Sequence, residues 1–217
     1  MKKNKYIRIG LLFILFSNTI WAATQEKEIL APDIALSMHN NILNSVQPHL
    51  VFSDEEKAKA WLNDMSSRLK KIVPDEFFRK EYLTIIQYEA TRAGLDPQLI
   101  LSIITVESKF KKYAISNSGA EGLMQVMPFW QAQLGLQNQS LFDPKTNVRF
   151  GCSILRYYIQ KEHGNLAKAL ARYNGSIGQA WYPQLVFATY RAYWQPYPVM
   201  TMESNGMVKT IDYSINN

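Results

Sequence analysis

The stretch Leu99-Ile-Leu-Ser-Ile-Ile-Thr-Val-Glu107-Ser-Lys-Phe110 decides the fold. It is mostly apolar and follows Asp96-Pro97, a pair typical of a helix start, because aspartate caps the first turn and proline fits its first position. Helical spacing places Glu107 three and four residues after Ile104 and Ile103, on the same apolar face. The stretch therefore predicts a core helix that ends in an acidic residue.

Two physical effects act on the Glu107 carboxyl group in that position. A core-facing carboxyl loses hydration, which disfavours its ionised form. The C-terminal end of a helix carries partial negative charge, which disfavours an anion further. Glu107 is therefore a candidate general acid that keeps its proton near neutral pH. The alternative is a surface glutamate in the last turn of a helix.

Apolar residues recur with helical spacing along most of the chain, and no alternating strand pattern of useful length is present. Helices are predicted over residues 34–48, 53–72, 75–94, 96–107, 128–134, 147–163, 166–173 and 183–194. The second of these is expected to open with a capping box formed by Ser53 and Glu56. Residues 195–217 are expected to form an irregular tail.

The first 23 residues have the layout of a secretory signal peptide, with a basic start, a short apolar run and small residues at the end. We expect cleavage after Ala22 or Ala23. An uncleaved N-terminal anchor is the alternative, although the apolar run is short for a membrane span.

Composition excludes several classes of function. The full chain has 24 basic and 18 acidic residues, a net charge of +6, but removal of the signal peptide leaves a net charge of +2, which does not indicate nucleic-acid binding. The single cysteine, Cys152, shares a stripe with apolar residues and is predicted to be a small buried hydrophobe. The three histidines have no metal-ligand spacing, so neither a metal nor another cofactor is expected.

Four linked blocks of sequence resemble a known family. The blocks are Glu107-Ser-Lys-Phe110, Ala114-Ile-Ser-Asn-Ser-Gly-Ala-Glu-Gly-Leu-Met-Gln-Val-Met-Pro128, Leu141-Phe-Asp-Pro144 with Asn147 and Gly151, and Ala171-Arg-Tyr-Asn174. Together they resemble the soluble lytic transglycosylase (SLT) catalytic domain of the lysozyme-like superfamily. The fold class that the resemblance implies is mainly α, a lysozyme-like helical domain with additional N-terminal helices and an irregular C-terminal tail. The expected domains are a signal peptide (1–23), an N-terminal helical extension (24–80), the catalytic domain (81–194) and the tail (195–217).

The resemblance implies that Glu107 is the catalytic residue. It would protonate the glycosidic oxygen between N-acetylmuramic acid and N-acetylglucosamine in peptidoglycan. As a carboxylate, it would then take the proton of the muramic C6 hydroxyl, which closes a 1,6-anhydro ring without water.

Six further residues are expected to bind substrate by the same resemblance. They are Ser108, Gly122, Met124, Gln125, Tyr173 and Asn174. Ser108 would hydrogen-bond the N-acetyl group or the acid, Gly122 would allow a close backbone approach, and the hydroxyl of Tyr173 would reach towards the Glu107 carboxyl. Met124 and Gln125 would form the cleft wall. Asn174 would hold a turn or contact a substrate amide.

Ordinary glycosidases need two carboxylates, and no second acid occurs in a matched position. Asp143 is expected to cap a helix, Glu121 lies in a loop, and Glu89 belongs to another helix. One departure from the family pattern is a displaced glycine, since the chain has Tyr173-Asn-Gly-Ser176 where the family has Tyr-Asn-small-Gly. Most of the aromatic residues after position 180 are predicted to pack in the core or the flanks, although some could stack on sugar faces, and none is assigned to the site.

The function expected from these observations is that of a periplasmic, cofactor-free and monomeric lytic transglycosylase that acts on peptidoglycan glycan strands. A lysozyme-like muramidase, which is a hydrolase, is one rival hypothesis. A non-catalytic peptidoglycan-binding assembly factor is the other. The N-terminal helices or the tail could dock onto envelope machinery, although nothing in their sequence names a protein partner.

Overall fold

The computed structural model describes residues 25, 27–43, 46–195, 199–202 and 208–211. The predicted signal peptide lies outside the described residues. Eight α-helices are present in the described part of the chain: α1 (Pro32–Leu43), α2 (Glu55–Leu69), α3 (Glu76–Arg92), α4 (Pro97–Glu107), α5 (Phe129–Gln133), α6 (Pro144–Lys161), α7 (Leu166–Asn174) and α8 (Trp181–Thr189). A π-helical turn, Tyr190–Trp194, continues α8. The prediction of a mainly helical fold is confirmed.

Five helices form a closed ring of pairwise contacts around the core. In order around the ring, α3 packs on α6, α6 on α7, α7 on α8, α8 on α4, and α4 on α3. Helix α1 lies against α6, and α2 lies against α3 and the π-helical turn. One continuous cluster of buried apolar side chains fills the interior, with the Trp130, Tyr158 and Phe150 side chains among its largest members.

Short polar side chains fix where the helices begin. Asp75, Asp96 and Asp143 each accept a hydrogen bond from a backbone N–H in the first turn of the helix that follows. These bonds pair N–H groups that have no partner inside the helix. The start of α2 differs from the predicted capping box, because its cap is Asp54, whose Oδ1 accepts from the N–H of Lys57 at 2.7 Å.

The tail contains a short antiparallel pair of strands, β1 (Val199–Met202) and β2 (Val208–Ile211). Sequence analysis predicted irregular structure over this segment, because four-residue strands are too short to show a clear alternating pattern. The pair stands apart from the ring of helices in sequence, after the π-helical turn.

Cys152 is fully buried in α6. Burial raises the pKa of its thiol well above the ordinary value, so the thiolate does not form at neutral pH. The prediction of a small buried hydrophobe rather than a reactive thiol is confirmed.

Candidate active site

The site is built around the C-terminal end of α4. Residues 97–104 of this helix are all buried, and Glu107 is its last residue, half-buried at the end of the core. Directly beyond it, Lys109 and Phe110 have positive φ angles of 52° and 61°. Two consecutive left-handed residues are costly unless the surrounding structure holds them. Here they reverse the chain and direct Phe110 into the core, where its ring contacts that of Trp194.

The Glu107 carboxyl is shifted towards its neutral form. Loss of hydration raises its pKa from 4.5 to about 7, and a hydrogen bond from the Tyr182 hydroxyl to Oε1 at 2.5 Å lowers the pKa against this trend. No acidic side chain of the described residues is among the influences on that pKa. The arrangement is that of a carboxyl group that is protonated about half of the time near pH 7.

Tyr182, the partner of Glu107, was not predicted from the sequence. The family resemblance implied that the Tyr173 hydroxyl reaches Glu107, but this hydroxyl donates instead to the Met124 carbonyl at 2.7 Å. Both tyrosines are fully buried, and burial raises the pKa of each phenol well above its ordinary value. Both hydroxyls are therefore neutral donors. Tyr182 lies among several aromatic residues of α8. Nothing in the sequence around it distinguishes it from Trp181 or Phe187.

A tight hairpin over residues 121–126 lies beside the end of α4 that carries Glu107. Its ends are joined by two backbone hydrogen bonds between Glu121 and Val126, each 2.9 Å long. Ser108, the residue after the acid, donates its buried hydroxyl to the Leu123 carbonyl at 2.7 Å. The end of α4 and the tip of the hairpin are therefore linked directly. The predicted contact of Ser108 with substrate stays a prediction.

Gly122 is required by the geometry of this hairpin. Its φ is +75°, and a Cβ atom there would lie 2.3 Å from Asn147 Nδ2 and 2.4 Å from the Leu141 carbonyl oxygen. Asn147 uses that space, because its Nδ2 donates to the carbonyls of Glu121 and Leu141, each at 2.8 Å, while its Oδ1 accepts from the N–H of Met124. One buried amide thus fixes the hairpin to α6.

The side chains of Met124 and Gln125 are both buried. Met124 packs over Gly151, where an added Cβ would lie 2.4 Å from its sulfur. The Gln125 amide donates to the carbonyls of Gly122 at 2.9 Å and Ala114 at 3.2 Å. These contacts hold the loop together from inside. That both residues line the substrate cleft stays a prediction.

The displaced glycine forms a regular helix end. Gly175 ends α7 in the left-handed region, and the N–H groups of Gly175 and Ser176 bond to the carbonyls of Arg172 and Ala171. This is a Schellman-type cap, and it requires glycine at that position. The turn that sequence analysis expected is therefore present. Asn174 is buried as the last residue of α7, and its predicted substrate contact stays a prediction.

The three other acids considered from the sequence have different surroundings. Asp143 caps α6 by accepting from the N–H of Thr146 at 2.8 Å. Glu121 lies in the hairpin, where partial burial raises its pKa. The Glu89 carboxylate is fully buried and forms ion pairs with Arg149 and Arg92.

Other kinds of site were sought on the described part of the chain. No group of three or more histidine, cysteine or acidic residues there could hold a metal ion. None of the described helices is both long and apolar enough to cross a membrane. Two surface grooves, one between α7 and α8 and one between α1 and α6, do not include Glu107.

Comparison with protein-family models matches residues 84–184 to the transglycosylase SLT domain. The matched segment contains Glu107, Tyr182, the hairpin and all six residues predicted to bind substrate. Helices α1 and α2 and the residues before them precede it.

Three curated relatives of the chain are each named membrane-bound lytic murein transglycosylase C. The protein from Photorhabdus laumondii is 29% identical over 148 residues, which cover 60% of this chain and 42% of the relative. The protein from Edwardsiella ictaluri is 30% identical over 153 residues, which cover 62% of this chain and 43% of the relative. The protein from Yersinia pestis is 32% identical over 126 residues. The chain thus spans less than half the length of these relatives.

Proposed function

We propose that this protein is a peptidoglycan lytic transglycosylase that cleaves the β-1,4 bond between N-acetylmuramic acid and N-acetylglucosamine. The SLT domain match and the names of the relatives support this class of reaction. The observation that carries the proposal is the state of Glu107. It is a half-buried carboxyl with a pKa of about 7 and one neutral hydrogen-bond donor, Tyr182.

A pKa near 7 suits a residue that acts first as an acid and then as a base. At neutral pH a large fraction of Glu107 carries a proton that it can donate to the glycosidic oxygen as the bond to C1 of the muramic residue breaks. The carboxylate that remains can then accept a proton from the C6 hydroxyl of the same sugar. The C6 oxygen bonds to C1 and closes the 1,6-anhydro ring, so the proton given up in the first step is recovered and no water is consumed.

The surroundings of Glu107 support a scheme with one carboxylate. The Tyr182 hydroxyl donates to the acid, so it stabilises the carboxylate formed after proton transfer. No acidic side chain of the described residues is among the influences on the Glu107 pKa, in keeping with a scheme that needs no second carboxylate.

Mass spectrometry of digested cell walls tests the proposal. Purified mature protein should release muropeptides with 1,6-anhydro ends from sacculi. Products one water heavier, with reducing muramic ends, would instead establish a muramidase. Glu107→Gln should lower the rate of product release by about 10²–10⁴-fold, the usual contribution of general acid–base catalysis. Glu55→Gln, at an exposed position of α2, is the matched control and should keep the wild-type rate. Full complementation by Glu107→Gln in cells would favour a non-catalytic role.

The place of action belongs to the same proposal. The signal-peptide layout of the first 23 residues supports export to the periplasm, where the glycan strands of peptidoglycan are the substrate. In this proposal the protein acts in the periplasm as a monomer and without a cofactor. Docking of its N-terminal helices or tail onto envelope machinery is a further part of the proposal.

A further inference from the structure

The residues that lead into the first helix make specific contacts with the site. Gln25 and residues 27–30, here called the N-terminal strap, lie outside the SLT domain match. Gln25 is buried, with an exposed fraction of 4%. Its Oε1 accepts from the N–H of Met127 at 3.1 Å and from the Trp130 indole N–H at 2.9 Å, and its Nε2 donates to the Gln125 carbonyl at 3.3 Å.

One of these three hydrogen bonds reaches the hairpin over residues 121–126, at the Gln125 carbonyl, and the other two hold Met127 and Trp130, which follow it. Buried backbone groups need partners, and the Gln25 amide supplies one for the carbonyl of Gln125 and one for the N–H of Met127. The opposite side of the hairpin is bound to the end of α4 through Ser108 and the Leu123 carbonyl. The hairpin is thus held from two sides, by the residue next to the acid and by the strap.

The rest of the strap is anchored independently of Gln25. The carboxylate of Glu28 accepts from the Tyr157 hydroxyl at 3.1 Å, from Arg172 at 3.3 Å and from Lys161. Leu30 is buried in the core cluster. Lys27 and Ile29, between these anchors, are exposed. The alternation of anchored and exposed residues fixes the position from which Gln25 reaches the hairpin.

We propose that the N-terminal strap is a positioning element for the reaction and that Gln25 is its positioning residue. Gln25 does not touch Glu107. It holds the hairpin in register, and the hairpin holds Ser108 and the acid beside it. The inference rests on the proposed function for its catalytic consequence.

Gln25→Ala in the mature protein tests the inference. We expect kcat to fall about tenfold, because small displacements of a catalytic group are costly to the rate. KM should change by less than about twofold, because the hydrogen bonds of the Gln25 side chain go to Gln125, Met127 and Trp130 and not to Glu107. The pH dependence of kcat should keep its shape, since Gln25 makes no contact with the acid. Lys27→Ala, an exposed neighbour in the same strap, is the matched control and should behave as the wild type.

A measurement that does not depend on activity accompanies the kinetics. Hydrogen exchange of the Met127 amide and the Trp130 indole N–H, followed by NMR, should be faster in Gln25→Ala and unchanged in Lys27→Ala. If the wild-type protein forms no anhydro products, the proposed function fails while the exchange result still reports on the strap. Wild-type kcat in Gln25→Ala, measured well below its unfolding temperature, would overturn the positioning role.

A milder variant keeps the inference testable if Gln25→Ala does not fold. Gln25→Glu retains an oxygen acceptor for Met127 and Trp130 but loses the donor to the Gln125 carbonyl. We expect it to lose less of its kcat than Gln25→Ala, and exchange of the Met127 amide and the Trp130 indole N–H should stay close to that of the wild type. Wild-type kcat in Gln25→Glu would contradict the inference.

Discussion

Glu89 near the end of α3 and Glu107 at the end of α4 are both withdrawn from water, but within the described part of the chain only Glu89 has cationic partners. The Glu89 carboxylate, fully buried, accepts from Arg149 at 2.6 and 2.9 Å and from Arg92 at 3.0 Å. Glu107 has a neutral hydroxyl as its partner. Arg149 also donates to the Ile42 carbonyl, so the ion pair joins α1, α3 and α6.

The difference between the two residues bears on the role proposed for Glu107. The buried Glu89 carboxylate lies against two guanidinium groups, so the protein supplies positive charge where water is excluded. A carboxyl that loses water and gains no cation instead keeps its proton to higher pH. Burial alone therefore does not identify a catalytic acid. The absence of a cationic partner is the property that separates Glu107 from Glu89.

Removal of the Glu89 charge should give the largest effect on stability. Glu89→Gln leaves Arg149 buried without its counter-ion, and the free energy of unfolding should fall by about 3–5 kcal/mol. Urea unfolding at neutral pH measures this loss. Glu107→Gln is the matched comparison at a second buried glutamate, and its stability at neutral pH should not fall, because no ion pair is lost. Equal losses in the two variants would show that the distinction drawn here between the two sites is wrong.

The pH dependence of stability should identify Glu107 by its sign. Its pKa is about 7 in the folded protein against an ordinary value of 4.5, so between these values the folded state binds more protons than the unfolded state. The stability that Glu107 contributes is present below about pH 4.5 and is lost as the pH rises through 7, a change of up to about 3 kcal/mol.

Urea unfolding of the wild type and of Glu107→Gln across this pH range measures that contribution. The wild type should lose stability relative to the variant as the pH rises, and Glu55→Gln should follow the wild type. A difference between wild type and Glu107→Gln that does not vary between pH 4.5 and pH 8 would contradict the raised pKa.

Much of the fold and part of the site could be predicted from the sequence. The apolar stripe of α4, its Asp96-Pro97 start and the cap role of Asp143 are local features, because each depends on residues within one or two helical turns. The position of Glu107 at the end of a buried helix follows from the same local pattern. Gly122 could be singled out because a positive φ is a property of single residues in turns.

The parts that were missed depend on contacts between residues far apart in the chain. Glu89 and Glu107 both lie on apolar helical stripes, and only the packing of α3 against α6 shows that Arg149 reaches Glu89. The choice between Tyr173 and Tyr182 as partner of the acid likewise depends on how α7 and α8 pack beside α4. The contacts of Gln25 span about one hundred residues of sequence and leave no periodic signal.

The smallest and most specific effect on the reaction is expected from loss of the hydrogen bond that Tyr182 donates to Glu107. Tyr182→Phe removes a donor that lowers the pKa of Glu107, so the pKa should rise above 7 and the alkaline limb of the rate profile should move to higher pH. The carboxylate formed after proton donation also loses its partner, and kcat should fall about tenfold. The pH dependence of anhydro-muropeptide release measures both changes.

Tyr190→Phe is the matched control for this variant, because its hydroxyl belongs to the helical turn that continues α8 and donates to Asp96 at the other end of α4. Tyr190→Phe also removes a phenol hydroxyl from the C-terminal helical segment, but this hydroxyl does not contact Glu107. The alkaline limb of its rate profile should therefore coincide with that of the wild type. A shift in Tyr190→Phe equal to that in Tyr182→Phe would mean that the limb reports the packing of the C-terminal helices. A shift of the alkaline limb in Tyr182→Phe alone would mean that the neutral Tyr182 hydroxyl sets the pKa of Glu107. Glu89 differs, because its partners are two arginines.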